Sequence, residues 1–359
     1  MSAAVNVLLP NRDKLRHVPA FAAWLARGTT LPAAMPGYLV AMAEQFRWPS
    51  GPLPAAALIR QSVAGDAGDA LWLSADPAWV QPELNGARLL ACGNLGLRLE
   101  ESMALVHALA ETFEAEGMKL LVGDSQHWQL SLPRYVDVPS FPEPEEALGA
   151  DLFEQLPKGE EGRRWRALIN EAQVVLHNHP VNAARVARGL PPVNSVWLWG
   201  AGALPDWVEC GLGRIYSDDL LAWALGHRAN VDVQPRTAFV GAAPVGAASA
   251  AASVGAASAA MGARGKTAIA AEAAPTKSSS PTKGSSPTKG SSPAKGSKGD
   301  EMPYSLLDLQ DIQPAEFEQV WWPAIEARLE AGTELRLAFA DGVRMVIRKS
   351  HRLRFWRKA

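Results

Sequence analysis

Apolar and polar residues follow one another here at spacings that divide the chain into short strands and helices. The run "AVNVLLP" near the start is almost unbroken apolar sequence, which predicts a strand buried on both faces. "VPAFAAWLARG" has helical spacing and ends at Gly28, a residue suited to closing a helix. "DALWLSADPAWVQ" and "GARLLACGNLGL" read as paired strands. In "RLEESMALVHALAETFEAEG", Leu99, Met103, Val106, Leu109 and Phe113 fall on one helical face, and Gly117 closes the helix. "MKLLVGDSQHWQLSLP" returns as a hairpin, so residues 69–133 predict a strand–strand–helix–hairpin unit of α+β character. A further helix is expected over Glu161 to His177, and "SVWLWGAG" reads as a buried strand breaking into a glycine loop.

At the far end, "PAEFEQVWWPAIEARLEAG" predicts a helix interrupted near Pro323 and closed by Gly332. "TELRLAFADGVRMVIRKSHRLRFWRK" alternates on both sides of Asp341-Gly342, a hairpin signal. That alternation puts Arg352, Arg354 and Trp356 on one face of an edge strand and Leu353 and Phe355 on the other. A helix and hairpin this small need a surface to pack on, so they are expected to dock on residues 1–240. Between them the composition shifts to Ala, Gly and Ser and then to the repeat "SSPTKGSSPTKGSSPAKG". Proline every six residues forbids a continuous helix, and so little apolar surface cannot offset the entropy of ordering. A disordered linker is expected there.

Length and composition narrow the picture. At 359 residues the chain has room for two compact units, and its 48% hydrophobic content suits a soluble globular protein. No apolar run reaches the ~18 residues needed to span a bilayer, and the start lacks the pattern of a signal peptide. Cys92 and Cys210 are the only cysteines, too few for a disulfide framework or a cysteine-rich zinc site. The cytoplasm is the expected compartment. The formal charge is −2, but residues 241–299 carry +6 and Arg344 to Lys358 carry +7, which leaves −15 on the rest. An acidic body with a basic tether and a basic end is not the profile of a dedicated nucleic-acid binder.

The densest stretch is "HNHPVNAARVARGLPPVNSVWLWGAG", from His177 to Gly202. Its His-Pro-Val-Asn, arginine, Pro/Asn pair and strand ending in Gly-X-Gly resemble the archaeal-type, cofactor-independent phosphoglycerate mutases of the alkaline phosphatase superfamily. The likeness extends more weakly through "GPLPAAALIRQSV" and "DALWLSADPAWV" over residues 1–235. Together with the basic "RFWRK" end, it also resembles RpfE-type regulatory proteins of bacteria. The resemblance implies an α/β fold: a reduced alkaline-phosphatase-like sheet with an inserted α+β cap subdomain. The parts would be 1–60 and 141–240 for the α/β core, 61–140 for the cap, 241–301 for the disordered linker, and 302–359 for the docking helix and hairpin.

Chemistry of that family requires a hydroxyl nucleophile and two divalent metals held by Asp and His. The first strand here ends in Leu9, Pro10 and Asn11 rather than Asp-Gly, and Asp13 lies past it. In "MPGYLVAMAEQF", Tyr38 stands where the resemblance implies a serine and Leu39 where it implies an aspartate. The downstream block rich in metal ligands is missing. The expectation is therefore a catalytically inactive relative, with no catalytic residue, no metal and no cofactor, acting in regulation or ligand sensing. Its partner would be another protein or a small anionic ligand, not a membrane or a nucleic acid. Alternatives are a metal-dependent mutase or phosphatase with a rearranged site, needing Asp13, Asp218, Asp219 and a histidine to converge, and a nucleic-acid-associated regulator using the linker and tail.

The candidate ligand cleft is His179, Asn182, Arg185 and Asn194. Each has a plainer reading. His177 and His179, two apart in a helix-to-turn region, suit backbone bonding better than a metal. Asn182 suits a helix cap, Asn194 a loop, and Arg185 with Arg188 a solvated helical face or an anion site. In "YSDDLLAWALG", Ser217 is expected to cap a helix, with Asp218 and Asp219 in its first turn. Most of the thirteen tryptophans are expected in the core, while Trp321, Trp322 and Trp356 are candidates for a partner surface.

Overall fold

The computed structural model describes residues 4–84, 86–241 and 304–354. The expected linker, apart from Gly241, and the "FWRK" end lie outside these residues. Fourteen strands fall among them: β1 (Ala4–Leu9), β2 (Thr29–Thr30), β3 (Phe46–Arg47), β4 (Leu71–Glu83), β5 (Gly86–Cys92), β6 (Lys119–Val122) and β7 (Trp128–Leu132) in the first part. β8 (Ser195–Ala203), β9 (Glu209–Cys210), β10 (Arg214–Tyr216), β11 (Asp232–Gln234), β12 (Tyr304–Asp308), β13 (Glu334–Phe339) and β14 (Arg344–Ile347) complete the set. The class is mixed α/β. No described helix is long and apolar enough to cross a membrane.

The larger sheet has the order β11-β10-β12-β1-β13-β14-β2. Its five strands from β11 to β13 run parallel, and β14 and β2 close one edge antiparallel. β1 sits at the centre, which is why its sequence is almost wholly apolar: a parallel strand flanked on both sides must bury both faces. Val5, Val7 and Leu9 point into one core with Leu307, Leu335, Leu337 and Phe339, while Leu8 points into the other with Ile215, Leu306 and Ala338. The partners of β1 are β12 and β13, both from beyond the linker. Residues 304–354 therefore complete the N-terminal sheet.

On the Val5 face the helix Pro19–Arg27 packs against residues 314–330. Phe21 meets Phe317 with ring centroids 4.9 Å apart and Trp322 at 4.8 Å. Trp321 and Trp322 are each only 2% exposed, so they belong to this core and not to a partner surface. The interruption expected at Pro323 is a π-helical turn, Phe317–Trp321, between the helices Pro314–Glu316 and Trp322–Glu330. Proline lacks an N–H and its ring crowds the carbonyl four residues back, so the preceding turn widens. The second strand of the terminal hairpin stops at Ile347. Residues Lys349–Leu353 form a 3₁₀ turn instead of continuing the strand. There the tail's charges are drawn to acids of the body, Arg348 to Glu334 (2.6 Å) and Arg352 to Glu330 (2.9 Å).

The second sheet is antiparallel, β5-β4-β7-β6, with β8 along the other side of β4. Helix Leu99–Glu114 covers it through Leu105, Val106, Leu109 and Phe113. Met103, expected on that face, is 58% exposed, because the buried stripe is centred on Leu105 and Ser102. Helix Ala55–Val63 presses on β8, and the glycines of "WGAG" make this possible. A Cβ on Gly200 would stand 2.9 Å from the Ala55 Cβ, and one on Gly202 would collide with Pro54. Both are therefore set by close packing.

A buried charge cluster fastens this unit to the helix Pro180–Ala187. Arg185 is fully buried, its guanidinium bonded to Glu101 (3.2 Å), the Leu95 carbonyl (2.6 Å) and the Pro191 carbonyl (3.0 Å). Arg188 and the Arg98 N–H also bind Glu101. Burial raises the Glu101 carboxyl, but the Arg98 N–H and the two arginines outweigh it and bring it down to about 2. Glu101→Ala strands the Arg185 cation, so we expect a loss of about 3–5 kcal/mol in denaturant unfolding. In the wild type this contribution is present above the ordinary carboxyl range and fades as pH falls toward 2.

Candidate functional site

The residues of the expected cleft are brought near one another, but their polar atoms are taken up internally. His179 caps its helix by accepting the Val181 N–H (3.2 Å). Asn182 lies inside that helix instead of capping it, and ties the Leu176 and Val193 carbonyls together (2.7 Å each). Asn194 bonds both backbone groups of Val80, locking the loop to β4. Arg185 is held by Glu101 as described. This group staples the helix Pro180–Ala187 to the antiparallel sheet.

The side chains with chemical potential gather elsewhere, in an open cavity of about 460 Å³ beside Tyr38. Tyr38 begins the helix Tyr38–Ala43 after Gly37, whose φ of 138° excludes other residues at this bend. Glu143 reaches this helix start from the segment that follows the β6–β7 hairpin. Its carboxylate accepts the Tyr38 and Leu39 N–H groups, each at 2.7 Å. The helix start therefore carries a protein carboxylate on its first two amides.

Asp218, Asp219, Glu145, Asp76, His127, Arg236 and Asp311 also line the cavity, with Trp199 and Cys92. Asp218 and Asp219 follow the carboxyl end of β10, and Asp308, at the carboxyl end of β12, lies behind them. Asp219, not Ser217, caps the helix Leu220–Arg228 by accepting the Ala222 N–H (2.9 Å). Ser217 instead donates to Asp308 (2.8 Å) and accepts the Asp219 N–H (3.0 Å). Asp76, in the middle of β4, accepts from the Trp199 indole (2.7 Å) and the Trp128 N–H (3.2 Å). Cys92 is a half-buried thiol pushed up by desolvation, which leaves it protonated.

Electrostatics follow from this crowding. Burial, and then Asp219, push Asp308 up to about 7. Burial raises Asp76 to about 6 and Glu145 to about 7. Asp219 is raised by burial as well. Tyr38 is driven well above 10 by burial and by the carboxyls of Asp308, Asp219 and Glu145, so its phenol keeps its proton and bonds to Asp219. His127 goes the other way. Burial alone would lower it, but the hydrogen bond to Asp124 (3.0 Å) and the charges of Asp76, Asp124 and Asp219 lift it to about 9.

Of the four groups whose convergence a rearranged metal site requires, Asp218, Asp219 and a histidine, His127, share this cavity. Asp13 does not: it is exposed and 3.9 Å from Arg16. Among the described residues no group of three or more His, Cys, Asp or Glu side chains is arranged to hold a metal ion. The donor set explains this. Asp219 is committed to a helix cap and Tyr38, Asp308 to Ser217 and Gln310, and Asp76 to two N–H donors. These residues do not fit a pair of divalent cations.

Sequence reasoning passed over Asp76, His127, Glu145 and Asp308. Asp76 had a signal: a charge in the middle of the apolar strand "LWLSADPAWV". Glu145 and Asp308 had none short of the tertiary fold. Because His127 is held protonated, its charged form contributes stability below the ordinary imidazole range and loses it as pH rises through about 9. The imidazole signal in NMR should still report imidazolium at neutral pH. Asp124→Asn should bring its midpoint down by about 1 unit or more.

No protein-family profile matches the chain. It is 45% identical over 62 residues to a probable 2,3-bisphosphoglycerate-independent phosphoglycerate mutase of Geobacter sulfurreducens, a match covering 17% of this chain and 16% of that protein. The same enzyme of Methanosarcina barkeri is 42% identical over 62 residues, with the same coverage. The match thus spans about a sixth of each of these relatives. Among solved structures, the PH0037 protein from Pyrococcus horikoshii superposes with a TM-score of 0.39 at 12% identity, covering 97% of this chain and 88% of that one. The cofactor-independent phosphoglycerate mutase from Thermoplasma acidophilum gives 0.30 at 14% identity, over 97% and 90%. A 62-residue stretch of this chain is therefore phosphoglycerate-mutase-like in sequence.

Proposed function

We propose that this protein is a catalytically inactive phosphoglycerate-mutase-like protein whose cavity senses a ligand for a regulatory purpose. The observation that carries the reading is the setting of Tyr38. Phosphoryl transfer needs an ionised or metal-activated oxygen nucleophile and positive charge around the migrating phosphoryl group. The Tyr38 hydroxyl faces Asp219, Asp308 and Glu145, which hold its proton on and repel an incoming phosphate. The amides that begin its helix are already bonded to Glu143. Each of these features opposes the reaction. What such a cavity retains is recognition: a volume of about 460 Å³, fixed charges of both signs and the indole of Trp199.

The convergence of Asp218, Asp219 and His127 favours one rival, a rearranged metal-dependent phosphoryl-transfer site, and one experiment separates the two. The full-length protein is purified, analysed for bound metal, and assayed with 2- and 3-phosphoglycerate and a generic phosphomonoester in excess Mn²⁺ or Zn²⁺. Substoichiometric metal and no turnover above the uncatalysed rate are expected. Two tightly held equivalents of metal together with mutase or phosphatase turnover would overturn the proposal.

A further inference from the structure

Past Ala78 the strand β4 has no further pairs with β7 or β8 and runs beside β5 alone. Val80–Glu83 and Gly86–Leu89 therefore leave the sheet as a two-stranded ribbon, an arrangement that needs something packed on its face. The helices Leu152–Gln155 and Gly159–His177 bracket that face and leave an open groove of about 460 Å³. Val80, Pro82 and Ala87 form its floor, with Leu152, Phe153 and Val174 on its walls. Phe153 and Val174 are 61% and 65% exposed, and Leu84, at the ribbon's tip, is fully exposed. Among the described residues no Asp, Glu, Lys or Arg lines the groove. The nearest charges are already used: Arg88 holds Glu83 (2.8 Å) and the Gly149 carbonyl (2.7 Å), and Asp151 accepts the Phe153 N–H (2.8 Å).

Large apolar side chains left in water at one corner of a fold mark a contact surface. This corner carries a projecting apolar knob, Leu84, beside an apolar hollow. A two-fold contact requires that combination, since each copy has to offer both halves. A two-fold axis also sets like surface against like, so a charged groove repels its own image and this uncharged one does not. An acidic or basic partner finds no counter-charge here. A small molecule seated in the groove leaves Leu84 in water.

We infer that this corner is a self-association surface, on which two copies of the chain pack about a two-fold axis. Leu84 of each copy is seated in the other's groove, between Phe153 and Val174. So few apolar side chains make a weak and reversible dimer, with a dissociation constant in the micromolar range. The groove shares no lining residue with the cavity beside Tyr38, so self-association and the function proposed above are tested separately.

Sedimentation velocity of the full-length protein, from about 1 to about 200 μM, tests this. A monomer at the low end should give way to a dimer with a dissociation constant of about 1–100 μM. Leu84→Asp and Val174→Lys, both at exposed positions, should each weaken the dimer by about ten-fold or more with an unchanged melting temperature. An equimolar mixture of the two variants should regain it. In that mixed dimer the introduced carboxylate meets the introduced ammonium at one groove, and the other groove is native. Met35→Asp, an exposed apolar position outside this corner, should leave the dimer unchanged. A chain that stays monomeric at about 200 μM overturns the assignment and gives the groove to a different occupant. Indifference to both substitutions, or a mixture no stronger than its components, would overturn it equally.

Discussion

One carboxylate on two amides sets the geometry of the whole site. Glu143 grips the Tyr38 and Leu39 N–H groups and so joins the segment after the antiparallel sheet to a helix beside the parallel one. Both amides are at a helix start, where backbone donors lack intrahelical partners and the dipole favours negative charge. Supplying that charge from the chain itself fixes the direction of Tyr38 and seats Glu145, two residues on, against the same cavity. It also removes those two donors from the reach of a phosphate.

The cavity's chemistry then follows from what surrounds that point. Like charges close together in a partly desolvated space cannot all ionise, so the carboxyls share a reluctance that shows as raised pKa values. In a phosphoryl-transfer enzyme such crowding is relieved by metal ions. Here the carboxyls are relieved by hydrogen bonds: the Tyr38 phenol, the Ser217 hydroxyl, the Trp199 indole and helix-capping amides. Hydrogen bonds of this kind hold carboxyls in place without turning their lone pairs onto a common centre.

Much of the architecture could be read from the sequence because it is written in local periodicity. The apolar run of β1, the β4–β5 and β6–β7 pairs, the helix Leu99–Glu114 and the break at Pro323 each depend on residues within a few turns of one another. Met103 and the residues beyond Ile347 went astray for the same reason: helical phase and strand length are settled by what packs on them. Trp321 and Trp322 looked like surface because charges flank them, whereas Phe21, some three hundred positions away, closes over Trp322. The site was harder still. Tyr38 and Asp219 could be singled out on their own, but Asp308 and His127 matter only through a fold that brings distant strand ends and a hairpin to one cavity. His179, Asn182, Arg185 and Asn194 attracted attention as polar residues in an apolar context. Such residues are as well suited to satisfying buried backbone as to binding a ligand.

The order of the larger sheet carries the last step. Because β1 lies between β12 and β13, neither end of the chain can form this sheet without the other. β1 alone would expose Val5, Val7 and Leu9 on one face and Leu8 on the other, and β12 through β14 alone would lack the strand that joins them. The same junction delivers Asp308 behind Tyr38 and sets Asp311 against Arg236. The surroundings of Tyr38 and of Arg236 therefore both depend on the closed sheet. A chain that fails to close this sheet loses Asp308 and Asp311 from the surroundings of the cavity, which ties the cavity's charge to the N- and C-terminal segments together.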